Sequence, residues 1–497
     1  MEEWNLSQLQ EMMSSGAMSS KEIVQFYLDR IQQIDRDGPK LNSVLAINPD
    51  ALDIAEALDV ERQTNGPRGP LHGIPILLKD NIETADRLPT TAGSLALAQN
   101  FAKQDSFVAE RLRAAGAIIL GKTNLSEWAN FRSSRSSSGW SSAGGQVRNP
   151  YALDRNPCGS SSGSGVAVAA NLCAAALGTE TDGSIVCPSH VNGIVGLKPT
   201  VGLVGRSGIV PISHSQDTAG PMARTVWDTA VLLGALTGSD PRDPVTKESK
   251  GKSYADYTQF LSADGLKGAK IGVSRNFFGH NPFVDAVVEQ AIETMRQQGA
   301  IIIDPANIET KGKFGDSEFE VLLYEFKHDL NSYLATTPDA VPHQTLADLI
   351  AFNQTNAEAT MPYFGQELFE AAQAKGYLRD QAYLEALAKN HRLARDEGID
   401  ATLKAHQLDA IVAPTGGPAW LTDWVNGDNY GGASSSPAAV AGYPNVTVPA
   451  GYVFGLPVGI SFIGGAWQEP TLLRLAYAFE QATQVRRPPQ FSPTLNL

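Results

Sequence analysis

The chain has 497 residues, of which 42% are hydrophobic and 19% charged, a composition typical of globular proteins that excludes a disordered, collagen-like or disulfide-dense chain. Its 39 Lys and Arg against 53 Asp and Glu give a formal charge of −14, which disfavours binding to nucleic acid. At about 150 residues per domain, the length predicts up to three domains or one large α/β body.

The first residues and the cysteines bear on location. The N-terminal sequence MEEWNLSQLQ lacks the apolar centre of a signal peptide, and no run reaches the roughly 20 apolar residues of a membrane-spanning helix. The three cysteines, Cys158, Cys173 and Cys187, are sparse and odd in number, which favours a reducing compartment over a secreted disulfide framework. We therefore expect a cytoplasmic protein with no membrane partner.

The first 120 residues change from a helical to an alternating pattern. Up to about residue 60 they are predicted to be helical; the run after Ser19, KEIVQFYLDRIQQID, keeps apolar residues at helical spacing. Residues 74–78 are a short apolar run typical of a buried strand, with Lys79 at its end. Asp105 is predicted to N-cap a helix, and residues 117–120 to form the next strand. This order indicates an α/β layered domain.

Two loops rich in small residues follow. Residues 133–165 contain so much Ser and Gly that composition alone is typical of a flexible linker. They run directly into a small apolar helix predicted at 166–173, which must be buried, so we expect the tract to be anchored on the core. After a strand at 174–178 comes the second loop, TETDGSIVCP. Small residues allow both loops to approach a ligand closely.

The remainder of the chain predicts more α/β structure interrupted by helices. Helices are predicted at 226–237 and 284–297, with strands at 271–273 and 301–303. A mostly helical stretch then carries six scattered aromatics: Tyr324, Phe326, Tyr333, Tyr363, Phe364 and Phe369. Strands return at 408–412, 446–448 and 458–462, before a helix at about 470–482. We divide the chain into helical segment 1–70, core 71–237, connection and α/β unit 238–314, helical insertion 315–406, and 407–497, which completes the same body.

Familiar catalytic patterns are excluded or weak. The Gly-rich tract has no Lys, which excludes a P-loop, and the eight His lack any metal-ligand spacing, so we expect no metal and no cofactor. Residues 159–163, GSSSG, fit the GxSxG nucleophile elbow with Ser161 as nucleophile. However, the preceding NPYALDRNP is turn-like rather than a strand, and no His follows His406.

The remaining candidate for the catalytic machinery is a lysine that acts together with serines. If Lys79 is buried at its strand end, burial disfavours the charged amine and lowers its pKa, so that neutral Lys79 can act as a base near neutral pH. The strand context is equally compatible with a surface Lys79 paired with Asp80.

Lys79 at a strand end, Ser160 in the Ser/Gly loop and Ser184 in Thr-Asp-Gly-Ser resemble the amidase signature family, and the two serines have that family's separation. Further matches are GKTN at 121–124, GIVGLKPT at 193–200, DTAGPMAR at 217–224 and PAAVAGYPNVTVPAG at 437–451. The resemblance covers essentially the whole chain. It implies the α/β amidase-signature fold: a mixed central β-sheet covered by helices on both faces, with a helical insertion.

The resemblance also implies amide hydrolysis through an acyl-enzyme. Ser184 would attack the amide carbonyl, and Ser160, held in this family by a cis peptide, would pass the proton to neutral Lys79 and back to the leaving amine. The oxyanion hole would be formed by the backbone N–H groups of Thr181, Asp182, Gly183 and Ser184.

Within the family, the sequences at 155–165 and 178–188 look most like the bacterial peptide amidases, which remove the C-terminal amide of peptides, release ammonia and leave internal peptide bonds intact. Many members have two glycines before the nucleophile, so Asp182 is expected to influence substrate preference. The insertion at 315–406 would supply walls of the substrate pocket. Its aromatics are candidates to accept an apolar side chain, and packing within the insertion's own core is an equally open role for each of them. We expect a peptide or small-molecule amide as substrate; monomer and homo-oligomer stay open.

Three alternatives stay open. The glutaminase component of a tRNA-dependent glutamyl/aspartyl amidotransferase, its A subunit, would use the same three residues to release ammonia from glutamine inside a complex. An aryl- or fatty-amide hydrolase of the same family is the second, although no N-terminal apolar anchor supports the fatty-amide enzyme. A non-catalytic binding or scaffold protein is the third, and the joint presence of Lys79, Ser160 and Ser184 speaks against it.

Overall fold

The computed structural model describes residues 3–495. Its strands are, in chain order, β1 (Val44–Ile47), β2 (Pro75–Lys79), β3 (Ile118–Thr123), β4 (Trp140–Ser141), β5 (Gly145–Gln146), β6 (Ala175–Glu180), β7 (Val195–Lys198), β8 (Thr218–Ala223), β9 (Lys270–Val273), β10 (Ile301–Ile303), β11 (Ala410–Pro414), β12 (Asn445–Val453) and β13 (Leu456–Ile463). All except β4 and β5, which form a small hairpin, belong to one eleven-stranded sheet.

The sheet is mixed. Its strand order is β1-β3-β2-β6-β8-β7-β12-β13-β11-β9-β10. Strands β3, β2 and β6 run parallel to one another, as do β11, β9 and β10, whereas the pairs between these groups and at the β1 edge are antiparallel. A single continuous sheet therefore passes through the segments predicted separately at 71–237, 238–314 and 407–497.

The helices are α1 (Leu6–Ser15), α2 (Ser20–Arg30), α3 (Ala51–Asn65), α4 (Phe107–Ala114), α5 (Ser162–Ala169), α6 (Val186–Val191), α7 (Val226–Leu236), α8 (Pro282–Gln297), α9 (Gly315–Leu334), α10 (Leu346–Thr355), α11 (Ala357–Thr360), α12 (Glu367–Gln373), α13 (Gln381–His391), α14 (Asp400–His406), α15 (Ser436–Ala441) and α16 (Glu469–Thr483). Within residues 3–495, no helix combines the length and apolar character needed to cross a membrane.

Helices cover both faces of the sheet, as strand β11 illustrates. Successive side chains of a strand point to opposite faces. Ala410 and Val412 join the larger hydrophobic core, which also contains residues of α7, α8 and α16, whereas Ile411 and Ala413 join a separate core with residues of α15 and the segment before α14. The predicted fold class, an α/β amidase-signature fold with a mixed sheet between helical layers, is therefore confirmed.

Three local predictions differ from the structure. The predicted all-helical start contains β1, because residues 44–47 find a hydrogen-bonding partner in the distant strand β3, which overrides their local pattern. Ser106, not Asp105, caps α4: its Oγ accepts the N–H of Ala109 (3.3 Å), while the Asp105 carboxylate binds Arg113 instead (2.9 Å). Helix α5 begins at Ser162, inside the Ser/Gly tract, rather than at residue 166.

The sheet brings the predicted site residues to one edge. Strands β2 and β6 are neighbours and run parallel, so their carboxyl ends lie side by side. Lys79 is the last residue of β2, and β6 ends at Glu180, immediately before the loop 181–184. Ligands of α/β sheets commonly bind beyond such carboxyl ends.

Candidate active site

Lys79 is buried and contacts Ser160. The lysine side chain has no exposed surface, and its Nζ lies 2.7 Å from Oγ of Ser160. Burial lowers the pKa of Lys79 to about 7, against the opposing effect of the Asp217 and Glu180 carboxylates, which raise it. The amine is therefore poised to lose its proton near neutral pH. The alternative of a surface Lys79 paired with Asp80 is wrong: the Asp80 carboxylate instead accepts the hydroxyl of Thr91.

The loop that carries Ser160 is tightly packed and is held by hydrogen bonds from its serines to backbone carbonyls. The Gly159–Ser160 peptide bond is cis. A Cβ on Gly159 would lie 2.1 Å from Oγ of Ser126, so only glycine fits there. The neighbouring serines anchor the loop through donated hydrogen bonds: Ser161 to the carbonyl of Thr179 (3.0 Å), Ser162 to that of Cys158 (2.6 Å) and Ser164 to that of Leu177 (2.9 Å).

A second loop places Ser184 beside the first. The N–H of Ser161 donates to the carbonyl oxygen of Ser184 (3.1 Å), which ties the two serine loops together. Ser184 is 7% exposed and lines a cavity. Among residues 3–495 its hydroxyl has no hydrogen-bond partner, which leaves it available to a ligand. Hydrogen bonds between catalytic groups often tighten only when substrate binds.

Within residues 3–495, the loop 181–184 has backbone N–H groups without acceptors. Gly183 has a φ of +80°, which turns the loop. Buried Glu180 accepts the N–H groups of Ile185 (2.7 Å) and Val186 (3.0 Å), and the hydroxyl of Thr181 donates to Asp217 (2.6 Å). In the described part of the chain, the four N–H groups themselves meet no acceptor: Thr181, Asp182, Gly183 and Ser184. These donors are unoccupied, and their role as an oxyanion hole stays a prediction.

The side chain of Asp182 is fixed in the cavity wall. Its two carboxylate oxygens accept the hydroxyls of Ser435 (2.5 Å) and Ser436 (2.6 Å), both at the start of α15. Glu318 of α9 faces it, and burial together with the negative charge of Asp182 raises the pKa of Glu318 well above its usual value. The expected influence of Asp182 on substrate preference stays a prediction; Asp182 and the candidate nucleophile Ser184 line the same cavity.

The cavity beside Ser184 has a volume of about 590 Å³ and two kinds of wall. One is apolar and includes Phe131, Ile212, Phe319, Leu322 and Leu368. The other is polar and includes Ser133, Ser134, Ser136, Ser138, Asp182, Asp428, Ser435 and Ser436. The helical stretch 315–406 contributes to this cavity through α9 and α12, and its role as a wall of the substrate pocket stays a prediction.

The aromatics named as candidates to accept an apolar side chain do not line the cavity, which favours the alternative that they pack the helical stretch. Within the described residues, none of the six aromatic side chains named from the sequence contacts it. Phe326 and Phe369 are fully buried in the core of the helical stretch, where Phe369 packs against Trp128. The hydroxyl of Tyr333 donates to Glu83 (2.8 Å). These residues hold the helices to the sheet body, and the apolar wall comes from other side chains.

Two of the three cysteines form a disulfide, a pairing that their sparse and odd number did not predict. Cys158 is bonded to Cys187, and Cys173 is free and buried. Cys158 lies two residues before Ser160 and Cys187 three residues after Ser184, and both line the cavity. Because the two serine loops pack against each other, cysteines 29 positions apart are brought within bonding distance. The bond links the two loops covalently.

We expect loss of this disulfide to destabilise the fold. A disulfide that closes a loop with a sequence separation of 29 lowers the conformational entropy of the unfolded chain. This raises the free energy of the unfolded state by about 3–4 kcal/mol. The double variant Cys158→Ser/Cys187→Ser should therefore lose about that free energy of unfolding in a urea titration. Cys173→Ala is the matched control: it should respond to a dithiol reductant as the wild type does, whereas the double variant should not. Equal unfolding free energies with the disulfide formed and reduced would contradict this prediction.

Some residues of the site carry no signal in the sequence. Thr179 contacts the Lys79 amine, Asn81 contacts Thr179, and Asp217 accepts the hydroxyl of Thr181. Each is an ordinary polar residue in its local sequence. Burial raises the pKa of Asp217 to about 6, although it also accepts the N–H groups of Ile212 and Ser213. Only its place in the matching sequence DTAGPMAR singled out Asp217.

Comparisons with known proteins identify the family. Residues 22–473 match the family described as Amidase. The chain is 52% identical to the native peptide amidase from Stenotrophomonas maltophilia, covering 98% of this chain and 99% of that one with a TM-score of 0.94. It is 45% identical to a probable amidase of Arabidopsis thaliana, over 95% of this chain and 89% of the relative. It is 36% identical to the A subunit of the glutamyl-tRNA(Gln) amidotransferase of a Cyanothece species, over 96% of this chain and 98% of the relative.

The family match spans most of the chain, and these relatives are aligned over nearly their full lengths. The resemblance inferred from the motifs is therefore confirmed, as is the expectation of an enzyme. The chain belongs to the amidase signature family and is a hydrolase that acts on amide C–N bonds.

Proposed function

We propose that the protein hydrolyses the C-terminal amide of peptides, releasing ammonia, with Ser184 as nucleophile, Ser160 as proton relay and Lys79 as general base. The observation that carries this proposal is the contact of 2.7 Å between the buried Lys79 amine and the Ser160 hydroxyl, next to a loop of open N–H donors. A lysine with a pKa of about 7 supplies a base at neutral pH without His or metal.

The reaction proceeds in two halves. In acylation, neutral Lys79 takes the proton of Ser160, Ser160 takes that of Ser184, and Oγ of Ser184 attacks the amide carbon. The N–H groups of residues 181–184 stabilise the tetrahedral oxyanion, and one such donor is typically worth about 3–4 kcal/mol. Ser160 then protonates the leaving nitrogen, which departs as ammonia, and Lys79 returns its proton to Ser160. In deacylation, water follows the same proton path and releases the carboxylic acid and free Ser184.

The cavity supports a short peptide as the acyl part. Its volume of about 590 Å³ lies in the range of sites for small ligands. The apolar wall with Phe131, Phe319 and Leu322 suits a hydrophobic side chain, and the serine-rich wall offers hydrogen bonds to a peptide backbone. The 52% identity to a peptide amidase exceeds the 36% identity to an amidotransferase component, which favours the hydrolase over the glutamine-dependent enzyme.

A substrate panel tests the assignment. The purified chain, without partners, should hydrolyse a dipeptide amide such as one ending in leucinamide with a kcat/KM at least about 100-fold above that for glutamine, an aryl anilide or a long-chain fatty amide. Ammonia and the free carboxylic acid should appear in equal amounts, and the internal peptide bond should survive. Turnover of glutamine alone, and only after a tRNA-binding partner is added, would contradict the proposal in favour of the amidotransferase.

A further inference from the structure

Thr179 provides two of the three polar groups next to the Lys79 amine, and the proposed reaction assigns it no role. Nζ of Lys79 lies 2.7 Å from Oγ of Ser160, 2.8 Å from Oγ1 of Thr179 and 3.2 Å from the carbonyl oxygen of Thr179. Two of the three polar neighbours of the base thus belong to one residue of β6, the strand parallel to the one that ends at Lys79.

The polarity of these contacts determines whether the amine can act as a base. An ammonium donates three hydrogen bonds, whereas the neutral amine keeps two N–H donors and one lone pair. The carbonyl oxygen of Thr179 can only accept, so it takes one N–H. If Oγ1 of Thr179 accepts the second N–H, the lone pair is left facing Oγ of Ser160, which carries the proton to be removed.

Asn81 and an adjacent cavity favour this arrangement. Nδ2 of Asn81 donates to Oγ1 of Thr179 at 2.9 Å, which holds the hydroxyl group in place next to Lys79. Thr179 and Asn81 also line a second cavity, of about 200 Å³, so the hydroxyl proton of Thr179 can point into that space. Oγ1 then offers its remaining acceptor position to the lysine.

We propose that Thr179, supported by Asn81, is a positioning residue that aims the lone pair of Lys79 at the hydroxyl of Ser160. This inference rests on the proposed function, because it assigns Thr179 a role in the same proton relay. The carboxylates that face the amine, Asp217 and Glu180, act on its charge and do not direct its lone pair. Neither has a hydrogen bond to Nζ within residues 3–495.

Thr179→Val tests the proposal, because it removes Oγ1 while keeping the branched shape and the backbone carbonyl. With the peptide amide as substrate, kcat should fall about tenfold to a hundredfold, as expected for a misdirected base, while KM stays within about twofold. The acidic limb of the kcat profile should also move to lower pH, because the Lys79 ammonium loses one of its three acceptors. Thr179→Ser, which restores the hydroxyl, should recover both the rate and the limb.

Thr218→Val is the matched control. Thr218 lines the same small cavity, and its hydroxyl donates to the carbonyl of Ala219 (3.3 Å); among residues 3–495 it makes no hydrogen bond to Lys79. This variant should keep the wild-type rate and pH profile. Wild-type kcat in Thr179→Val, a reduced kcat with an unmoved limb, or a loss that Thr179→Ser does not restore would each overturn the positioning role. A wild-type protein that hydrolyses no amide would instead overturn the proposed function itself.

Discussion

Replacing Ser184 with alanine is expected to abolish amide hydrolysis, with a loss of kcat on the order of 10⁵–10⁶-fold, as for the nucleophile of other serine hydrolases. The nucleophile is the only group that bonds covalently to the substrate, so no neighbouring hydroxyl or water can replace it at a comparable rate. Initial rates with a peptide amide measure the loss. Labelling by a serine-reactive fluorophosphonate, followed by mass spectrometry, should fail for the variant and mark residue 184 in the wild type.

Ser189→Ala is a suitable control for this substitution. Ser189 is fully buried on α6, the helix that follows Ser184, and its hydroxyl has no partner among residues 3–495. Its replacement should leave rate, labelling and melting temperature close to wild type. If Ser184→Ala retained more than about 1% of the activity and was still labelled by the probe, Ser184 could not be the nucleophile.

Replacing Lys79 with alanine is expected to lower kcat at pH 7.5 by about 10³–10⁴-fold, towards the upper range for loss of a general base. The wild-type rate should rise with pH through the Lys79 pKa of about 7 and then level off, because burial lowers this pKa and only the neutral amine accepts the proton of Ser160. Below pH 7 the amine is increasingly protonated and its lone pair is lost. The residual activity of the variant should lack this acidic limb.

Rates measured from pH 5.5 to 9 check this prediction. Lys79→Met is a shape-matched companion, since it retains an unbranched apolar chain at the buried position but has no amine; it should lose as much activity as Lys79→Ala. Lys122→Met, on the neighbouring strand β3, removes a different buried amine and so separates the loss of the Lys79 base from the general effect of replacing a buried lysine. Lys122 is also fully buried, but its Nζ donates to the carbonyl of Ile82 (2.6 Å) and to Thr90 (2.9 Å), away from the serines. An unchanged rate in Lys79→Ala would remove Lys79 from the mechanism.

Ser160 is expected to matter less than Ser184. Ser160→Ala removes the link between Lys79 and the nucleophile, but a water molecule in the vacated space can carry the proton. Rates of the two alanine variants on the same substrate check this expectation: Ser160→Ala should lose less kcat than Ser184→Ala.

The sequence alone determined the parts of the protein that depend on local pattern. The apolar run that ends at Lys79 predicted a buried strand, and the two small-residue loops predicted close backbone approach at Ser160 and Ser184. The longer motifs identified the family and with it the mixed sheet. These features are local because strand periodicity, turn residues and motif spacing each act over a few to about fifteen residues.

Only the tertiary structure decided how these pieces meet. The lowered pKa of Lys79 requires complete burial, and its contact with Ser160 joins residues 81 positions apart in the chain. The Cys158–Cys187 bond requires two loops to dock, and the contacts of Thr179 require β2 and β6 to be neighbours in the sheet. Likewise, the cavity takes apolar lining from Phe319 and Leu322, whereas the aromatics that the sequence left open as candidates do not line it. Distances between distant segments follow from sheet pairing and packing, which no local pattern encodes.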